Sequence, residues 1–306
     1  MVRNMKIRAR KFDPTSPSLG FTIFNYVFLT VLSIIFILPF LLMAAASLTP
    51  EDEIAMDGFK LWPKNFTTFA YEYLFTSSDR FIDAFNVTLL LTIVGTLNTL
   101  FWTSMGAYVL SKKYLPYRNK LTMFVFITML FNGGLIPFYL VVKSLGMINT
   151  FFALFVPGTI AVWNMIIIRN YFMTIPESLE ESAKLDGASD VMIYFRIILP
   201  LSKPIIATMI VYLAVGYWNE WYSALIFITN NQRLVTLQLL LRQILSNTTV
   251  IMSARGGRKL VETGALPPSE SMKMAAVMVA TVPILVVYPF LQKYFTKGIL
   301  VGSIKG

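Results

Sequence analysis

Long stretches without a single charged side chain alternate with short polar segments along this chain. Nothing is charged between Asp13 and Glu51, Asp83 and Lys112, Lys120 and Lys143, Lys143 and Arg169, or Lys273 and Lys293. A charge at the centre of a bilayer costs about 2.5 kcal/mol or more, and roughly 20 apolar residues cross the hydrocarbon core. Each window therefore predicts a membrane span. A sixth runs from about Pro204 to Thr229 with Glu220 as its only charge. The predicted spans are 19–48, 84–110, 121–142, 149–171, 204–229 and 274–292, in one domain over 19–299 between an N-terminal segment, 1–18, and a tail, 300–306. The unbroken apolar runs point to helices, because a lipid-exposed backbone must satisfy its own hydrogen bonds and a barrel would need alternating segments. The basic start (Arg3, Lys6, Arg8, Arg10, Lys11) and Ala44–Ser47 resemble parts of a signal peptide. The apolar core from Leu19 to Met43 exceeds the roughly 7–15 residues of such a segment, so the span is expected to be retained.

Composition supports the membrane reading. Of 306 residues 56% are hydrophobic and 14% charged, with a mean hydropathy of +0.65, more apolar surface than soluble cores of this size hide. The chain has no Cys and no His, which excludes disulfides, Cys/His zinc sites, histidine-ligated haem and histidine-dependent triads. The net charge of +10 would suggest nucleic acid in a soluble protein, but its placement reads instead as membrane orientation. Residues 1–18 carry five bases and one acid, 111–120 four bases and no acid, and 49–83 three bases and seven acids. The positive-inside rule puts the N-terminus, the 111–120 loop and, by parity of six, the C-terminus in the cytoplasm. Two loops run against the rule: 173–203, cytoplasmic by parity, holds five acids and three bases, and the external loop 230–272 holds five bases and two acids.

The acidic 173–203 loop contains Pro176-Glu177-Ser178-Leu179-Glu180-Glu181-Ser182-Ala183-Lys184-Leu185-Asp186-Gly187. Proline at the start, acids in the first turns and Asp-Gly at the end predict a short helix. A second amphipathic piece, Val191 to Ile198, closes at Leu199-Pro200. The unit is expected to lie on the membrane surface, either as a solvated cap on the bundle or as a docking element. Glu181-Ser182-Ala183, then Gly187, Ile197 and Leu199-Pro200 at fixed spacing resemble the EAA motif of permease subunits in binding-protein-dependent ABC importers, with Ser182 the one departure.

That resemblance implies an all-α integral membrane protein with six transmembrane helices of the type I ABC importer permease fold and a coupling helix between spans 4 and 5. The helix would dock in a cleft of a separate ATPase, with Glu181 pairing a basic group there, Ala183 allowing close packing and Gly187 making the turn. The chain has no G-x-x-x-x-G-K-[ST] sequence to cradle a nucleotide. The implied reading is a transport subunit rather than an enzyme, without a cofactor of its own, ATP and Mg being held by the partner ATPases. The implied partners are a second homologous permease, two ATP-binding cassette subunits, an extracytoplasmic solute-binding protein, the solute and membrane lipid, with no role for nucleic acid, in a bacterial cell membrane.

The fifth span is interrupted by Gly216-Tyr217-Trp218-Asn219-Glu220-Trp221-Tyr222. Trp218, Trp221 and Tyr222 fall at i, i+3 and i+4, so they are expected to share a face, with Tyr217 adjoining it. Rings beside Asn219 and Glu220 suit sugars, which stack on aromatic faces and need donors and acceptors for their hydroxyls. The same residues also suit an interfacial aromatic belt. The run resembles carbohydrate permeases of the maltose-type branch. Asn132-Gly133-Gly134-Leu135-Ile136-Pro137, Leu145 to Thr150 and Phe172 to Pro200 resemble the subgroup handling oligosaccharides of complex polysaccharides such as alginate and pectin. Gly133, Gly134 and Pro137 also read independently as a turn ending a span. Arg233, Arg242, Arg255, Arg258 and Lys259 would then meet uronate carboxylates or an acidic face of the binding protein, or be solvated. The function implied is ATP-driven import of a sugar or oligosaccharide, with an amino acid or other small solute as the alternative.

Overall fold

The computed structural model describes residues 18–76, 79–252 and 269–303, and the elements among them are helical throughout. They are α1 (Leu19–Ser47), α2 (Glu51–Asp57), α3 (Phe69–Thr76), α4 (Asp79–Ser111), α5 (Arg118–Leu130), α6 (Leu135–Ser144), α7 (Val162–Phe172), α8 (Glu177–Leu185), α9 (Asp190–Leu201), α10 (Lys203–Trp218), α11 (Tyr222–Phe227), α12 (Leu237–Met252) and α13 (Glu270–Ser303). Short 3-10 turns cover Phe151–Leu154, Val156–Gly158 and Gln232–Leu234. Residues 1–17 of the expected N-terminal segment and 304–306 of the expected tail, together with Arg255, Arg258 and Lys259, lie outside the described residues.

Among the described residues three helices are long and apolar enough to cross a membrane, α1, α4 and the start of α13, and the number rises to six if each of three bent pairs is one span. The 29 residues of α1 extend about 44 Å. It begins at Ser18, whose Oγ accepts a hydrogen bond from the Phe21 amide. Its side chains are apolar and exposed around most of its length, and it buries only Ala45, Ala46 and Ser47 at its end. A helix apolar on all sides is stable with such exposure only in lipid.

The other expected spans are broken. The window 121–142 is not one straight helix: α5 and α6 meet at 110°. The Asn132 Oδ1 accepts from the Gly134 amide at 2.8 Å and Gly134 adopts φ +89°, a left-handed conformation that favours glycine. The Asn-Gly-Gly turn therefore falls inside the window rather than beyond it. Between 149 and 171 the chain runs through 3-10 turns and bends by 49° into α7. Asn149 anchors this stretch, its Oδ1 accepting from the amides of Thr229 and Asn230 at 2.8 Å each. The 204–229 window also divides, because α10 ends at Trp218 and α11 begins at Tyr222. At 16 residues α10 extends about 24 Å, short of the roughly 30 Å hydrocarbon thickness.

α4 organises these fragments. It packs on α3, α7, α10 and α12, while α13 packs on α1, α10 and α12. One buried cluster joins Phe81, Leu91, Trp218, Leu237 and Ala276, and another joins Ala107, Met165, Ile168, Ile193, Ile198 and Met209. The acidic 49–76 segment is tied down by its own carboxylates. Glu53 accepts from the amides of Lys64 and Asn65 at 2.8 and 3.1 Å, and the Lys64 amide holds its carboxyl below the usual range. Lys60 and Lys64, both 2.7 Å from Asp57, depress that carboxyl to about 2. Glu51 accepts from the amides of Glu270 and Ser271 at 3.0 Å, capping α13.

α4 and α10 approach closely at Gly95, where an added Cβ would lie 2.8 Å from the Tyr217 ring. That ring is anchored through a 2.7 Å hydrogen bond shared with Thr99, so it cannot swing aside freely. Gly95→Ala is expected to cost about 1–3 kcal/mol. It should lower the thermal midpoint of the detergent-solubilised protein, and Tyr217→Ala in the same background should restore part of the loss. An unchanged midpoint would contradict this packing.

Candidate functional sites in the 173–203 segment and the broken fifth span

The 173–203 segment folds as two short helices on one end of α4. α8 ends in a Schellman motif: the Ala188 amide donates to the Ala183 carbonyl at 2.9 Å, the Gly187 amide to the Lys184 carbonyl at 3.0 Å, and Gly187 has φ +80°. Ser189 then caps α9, accepting from the Met192 amide. α9 contains a π-helical turn, Tyr194–Ile198, and meets α10 at 85° near Pro200, Ser202 and Pro204. Of the motif residues, Glu181, Ser182, Gly187 and Pro200 are exposed, whereas Ala183, Ile197 and Leu199 are half-buried against the Ile168–Ile193 cluster. Leu185 is 89% exposed and Val191 60%, leaving apolar surface uncovered on α8 and α9.

Charges on the short α4–α5 connection hold α8 in place. Lys112 pairs with both carboxylate oxygens of Glu180, and its Nζ sits 3.7 Å from the Tyr108 ring centroid. Both partners are largely buried, with 9% and 15% of their side chains exposed. Burial pushes the Lys112 ammonium below its ordinary pKa, and Glu180 opposes that shift. Lys113 reaches Glu177 at 3.1 Å. Lys184 lies 2.9 Å from Asp190 and over the Tyr114 ring, while the Tyr114 hydroxyl donates to Asp190 at 3.1 Å. The Asp190 contact raises the Lys184 pKa, and the same contact lowers that of Asp190. The carboxylate contribution is lost only as pH falls through its depressed pKa, and the lysine contribution only as pH rises through its elevated one. This tie therefore persists between about pH 4 and pH 10. A cavity of about 590 Å³ opens between the α4–α5 connection and α8, lined by Lys112, Lys113, Glu177, Glu180, Glu181 and Lys184. Sequence reasoning singled out Glu181 but missed Lys112 and Glu180. The basic loop and the acidic helix were the available signal, and their pairing across 68 residues was not.

The aromatic run does not form the expected continuous face. The helix ends at Trp218, so the i, i+3, i+4 relation with Trp221 and Tyr222 is lost. Trp218 is buried, its Nε1 donating to the Ala280 carbonyl at 2.9 Å and its ring set edge-on to Phe85. Glu220 is a local cap: its Oε1 accepts from the Ser223 amide at 2.7 Å at the start of α11. Tyr217 and Glu220 line a cavity of about 330 Å³ with Thr99, Phe138, Tyr212 and Ser223. Asn219 and Trp221 line a separate groove of about 460 Å³ with Gln238, Arg242, Leu245 and Thr281. The Arg242 guanidinium carbon lies 3.7 Å from the Trp221 ring centroid, so one face of that indole is already covered. Five neighbouring sequence positions are thus divided between a core contact, one cavity and a second groove. Arg233 is exposed at the 3-10 turn.

The buried ion pair yields a double-mutant prediction. Lys112→Met and Glu180→Met should each destabilise the solubilised protein by about 3 kcal/mol, since each strands a buried charge. The double variant should lose less than either single one. Additive losses in thermal unfolding would show that the two side chains do not act as a pair.

Comparison with known proteins places these features among relatives. Residues 18–301 match the family described as "Binding-protein-dependent transport system inner membrane component". Protein LplC of Bacillus subtilis (strain 168) is 45% identical over 286 residues, 94% of this chain and 95% of the relative. The polygalacturonan/rhamnogalacturonan transport system permease protein YtcP of the same organism is 43% identical over 288 residues, 94% of this chain and 98% of the relative. A chain from the crystal structure of a bacterial ABC transporter involved in the import of the acidic polysaccharide alginate superposes with a TM-score of 0.80 at 26% identity, covering 92% of this chain and 99% of that one.

Proposed function

This chain belongs to the family of inner membrane components of binding-protein-dependent transport systems, and on that premise we propose that it is one permease of an ATP-driven importer of oligosaccharides. It forms the pore with a second, homologous permease. Two ATPase subunits, which hold ATP and Mg, dock on the cytoplasmic side, and a solute-binding protein delivers cargo on the other. The sugar assignment is supported by relatives covering nearly the full chain whose names specify polysaccharide-derived cargo.

The observation that carries the proposal is the arrangement of α8. It leaves Glu181 and Leu185 exposed, while Lys112–Glu180, Lys113–Glu177 and Ala183 fix it to the bundle. A helix held rigidly on one side and free on the other is suited to transmitting the movement of a docked ATPase. When the ATPases close on ATP, α8 is displaced and carries α9 and the start of α10 with it. Alternating access follows if the ATPases bind the two arrangements of the bundle with different free energies. With the 173–203 segment on the ATPase side, the chain termini lie in the cytoplasm.

Glu181→Arg in the reconstituted complex tests the assignment. The variant should assemble normally, while binding-protein-stimulated ATP hydrolysis and sugar uptake both fall about tenfold or more, as expected when a charge-assisted contact becomes a repulsion. Normal uptake by the assembled variant would sink the coupling role of α8.

A further inference from the structure

Between α1 and α4 the chain carries large apolar side chains on its outside, in a segment that lies past the end of the first span. Phe59, Leu61, Trp62, Phe66, Phe69 and Tyr73 are all exposed, Trp62 by 81%. The rings meet one another: Trp62 and Phe66 stand edge-on at 6.4 Å, and Phe69 and Tyr73 lie 6.3 Å apart. The carboxylates of the same segment are engaged within the chain. Glu51 and Glu53 accept from backbone amides, Asp57 meets Lys60 and Lys64, and Glu72 accepts from the Thr68 hydroxyl. Asp52 is the remaining acid of residues 49–76. What the segment turns to its surroundings is therefore mainly aromatic.

Hydrogen bonds to the end of α1 set the depth of this surface. The exposed large apolar side chains of α1 run from Leu19 to Leu41, a rise of about 33 Å that fits the roughly 30 Å hydrocarbon core with a modest tilt. Ser47 and Leu48 follow within two turns, at the level of the headgroups. The Thr67 amide donates to the Leu48 carbonyl at 2.9 Å, and the Tyr71 hydroxyl shares a 2.7 Å hydrogen bond with Ser47. Phe66 and Phe69, which flank these contacts in the chain, are held at the same level. From this arrangement we infer that residues 59–73 are seated in the headgroup layer of the leaflet at which α1 ends, with Trp62, Phe66, Phe69 and Tyr73 lying against phospholipid. The surface takes over where the lipid-facing side of α1 stops. Indole, phenol and phenyl rings favour that zone, because their faces meet acyl chains while a polar edge stays hydrated. A protein partner of a segment this rich in charge would be met by carboxylates and ammonium groups, and here those groups serve the chain's own amides and one another. The seated rings brace the outer end of α1, which buries only three residues of its own. The inference is independent of the cargo.

The chain has no cysteine, so Trp62→Cys and Phe69→Cys each give it a single labelling position. The complete transporter carrying either substitution is labelled with a nitroxide and reconstituted in nanodiscs of phosphatidylcholine and phosphatidylglycerol. Unsubstituted transporter treated alike supplies the background from the other chains. Power saturation then compares collisions with oxygen, which concentrates in lipid, and with a water-soluble nickel chelate, against lipids spin-labelled at the headgroup and in mid-chain. Both labels should lie within about 10 Å of the lipid phosphates, and adding the binding protein should leave them there. Binding-protein-stimulated ATP hydrolysis should stay within about twofold of wild type, since both substitutions replace exposed side chains. A water-like ratio of oxygen to nickel collisions at either position would overturn the inference. So would shielding from both reagents: before the binding protein is added it would assign the surface to the second permease, and only afterwards to the binding protein. Wild-type transporter without stimulated hydrolysis would count against the importer reading and leave the depth measurement to decide this inference.

Discussion

A broken helix in a bilayer leaves backbone amides and carbonyls that lipid cannot satisfy, so it persists only where protein groups meet them. The polar face of α4 supplies those groups. Thr88 accepts from the Leu237 amide at 2.7 Å at the start of α12, and Thr103 accepts from the Ala161 amide at 3.3 Å where the fourth span bends. Asn98 donates to the Thr159 hydroxyl at 2.8 Å in the same bend. Thr99 shares a hydrogen bond with the Tyr217 hydroxyl, and Ser104 one with that of Tyr194. Arg169 donates to the Leu110 carbonyl at 2.9 Å. Apart from Arg169, which reaches an α4 carbonyl, these side chains lie on one unbroken helix of 33 residues, and the fragments of the expected fourth and fifth spans take their positions from it.

The same helix connects the two candidate sites. At one end Arg80 donates to Gln232 and, through a second contact, to Gln243, fixing the segment from which Arg242 projects. At the other end the chain passes directly into Lys112 and Lys113, which grip α8. The 33 residues of α4 extend about 50 Å. In the proposed importer a load applied to α8 would reach the bundle through one buried ion pair, Lys112–Glu180, one exposed pair, Lys113–Glu177, and the continuous helix α4. Such an arrangement provides the contiguous packed network that coupling between distant sites uses.

Much of this was legible one segment at a time. Leu19–Ser47 reads as a span because its apolar run is long and has no charge, and it folds as one helix. Glu177 to Gly187 carries its helix start, acidic first turn and glycine stop in consecutive residues, and the Schellman closure at Gly187 follows from that order. Tyr217 to Tyr222 was misread because aliphatic residues resume beyond Tyr222, so the polar pair Asn219-Glu220 reads as lying within one helix. The local sequence contains no proline there, and the cap that Glu220 gives to α11 becomes apparent only with the geometry in hand.

What the sequence by itself determined is the membrane class, the helical content, the position of the amphipathic loop unit and the family resemblance, since each depends on composition or on spacing within a few turns. Tertiary structure alone decided where the third, fourth and fifth spans break, that Lys112 serves Glu180, and that Trp221 faces Arg242. Those outcomes rest on contacts between residues far apart in the chain, 68 positions for Lys112 and Glu180 and 149 for Thr88 and Leu237. The physical reason is that in lipid an apolar residue costs little wherever it points, so hydropathy places a segment in the membrane without saying where it bends. The bends are settled by which polar groups on neighbouring helices satisfy the backbone that bending frees.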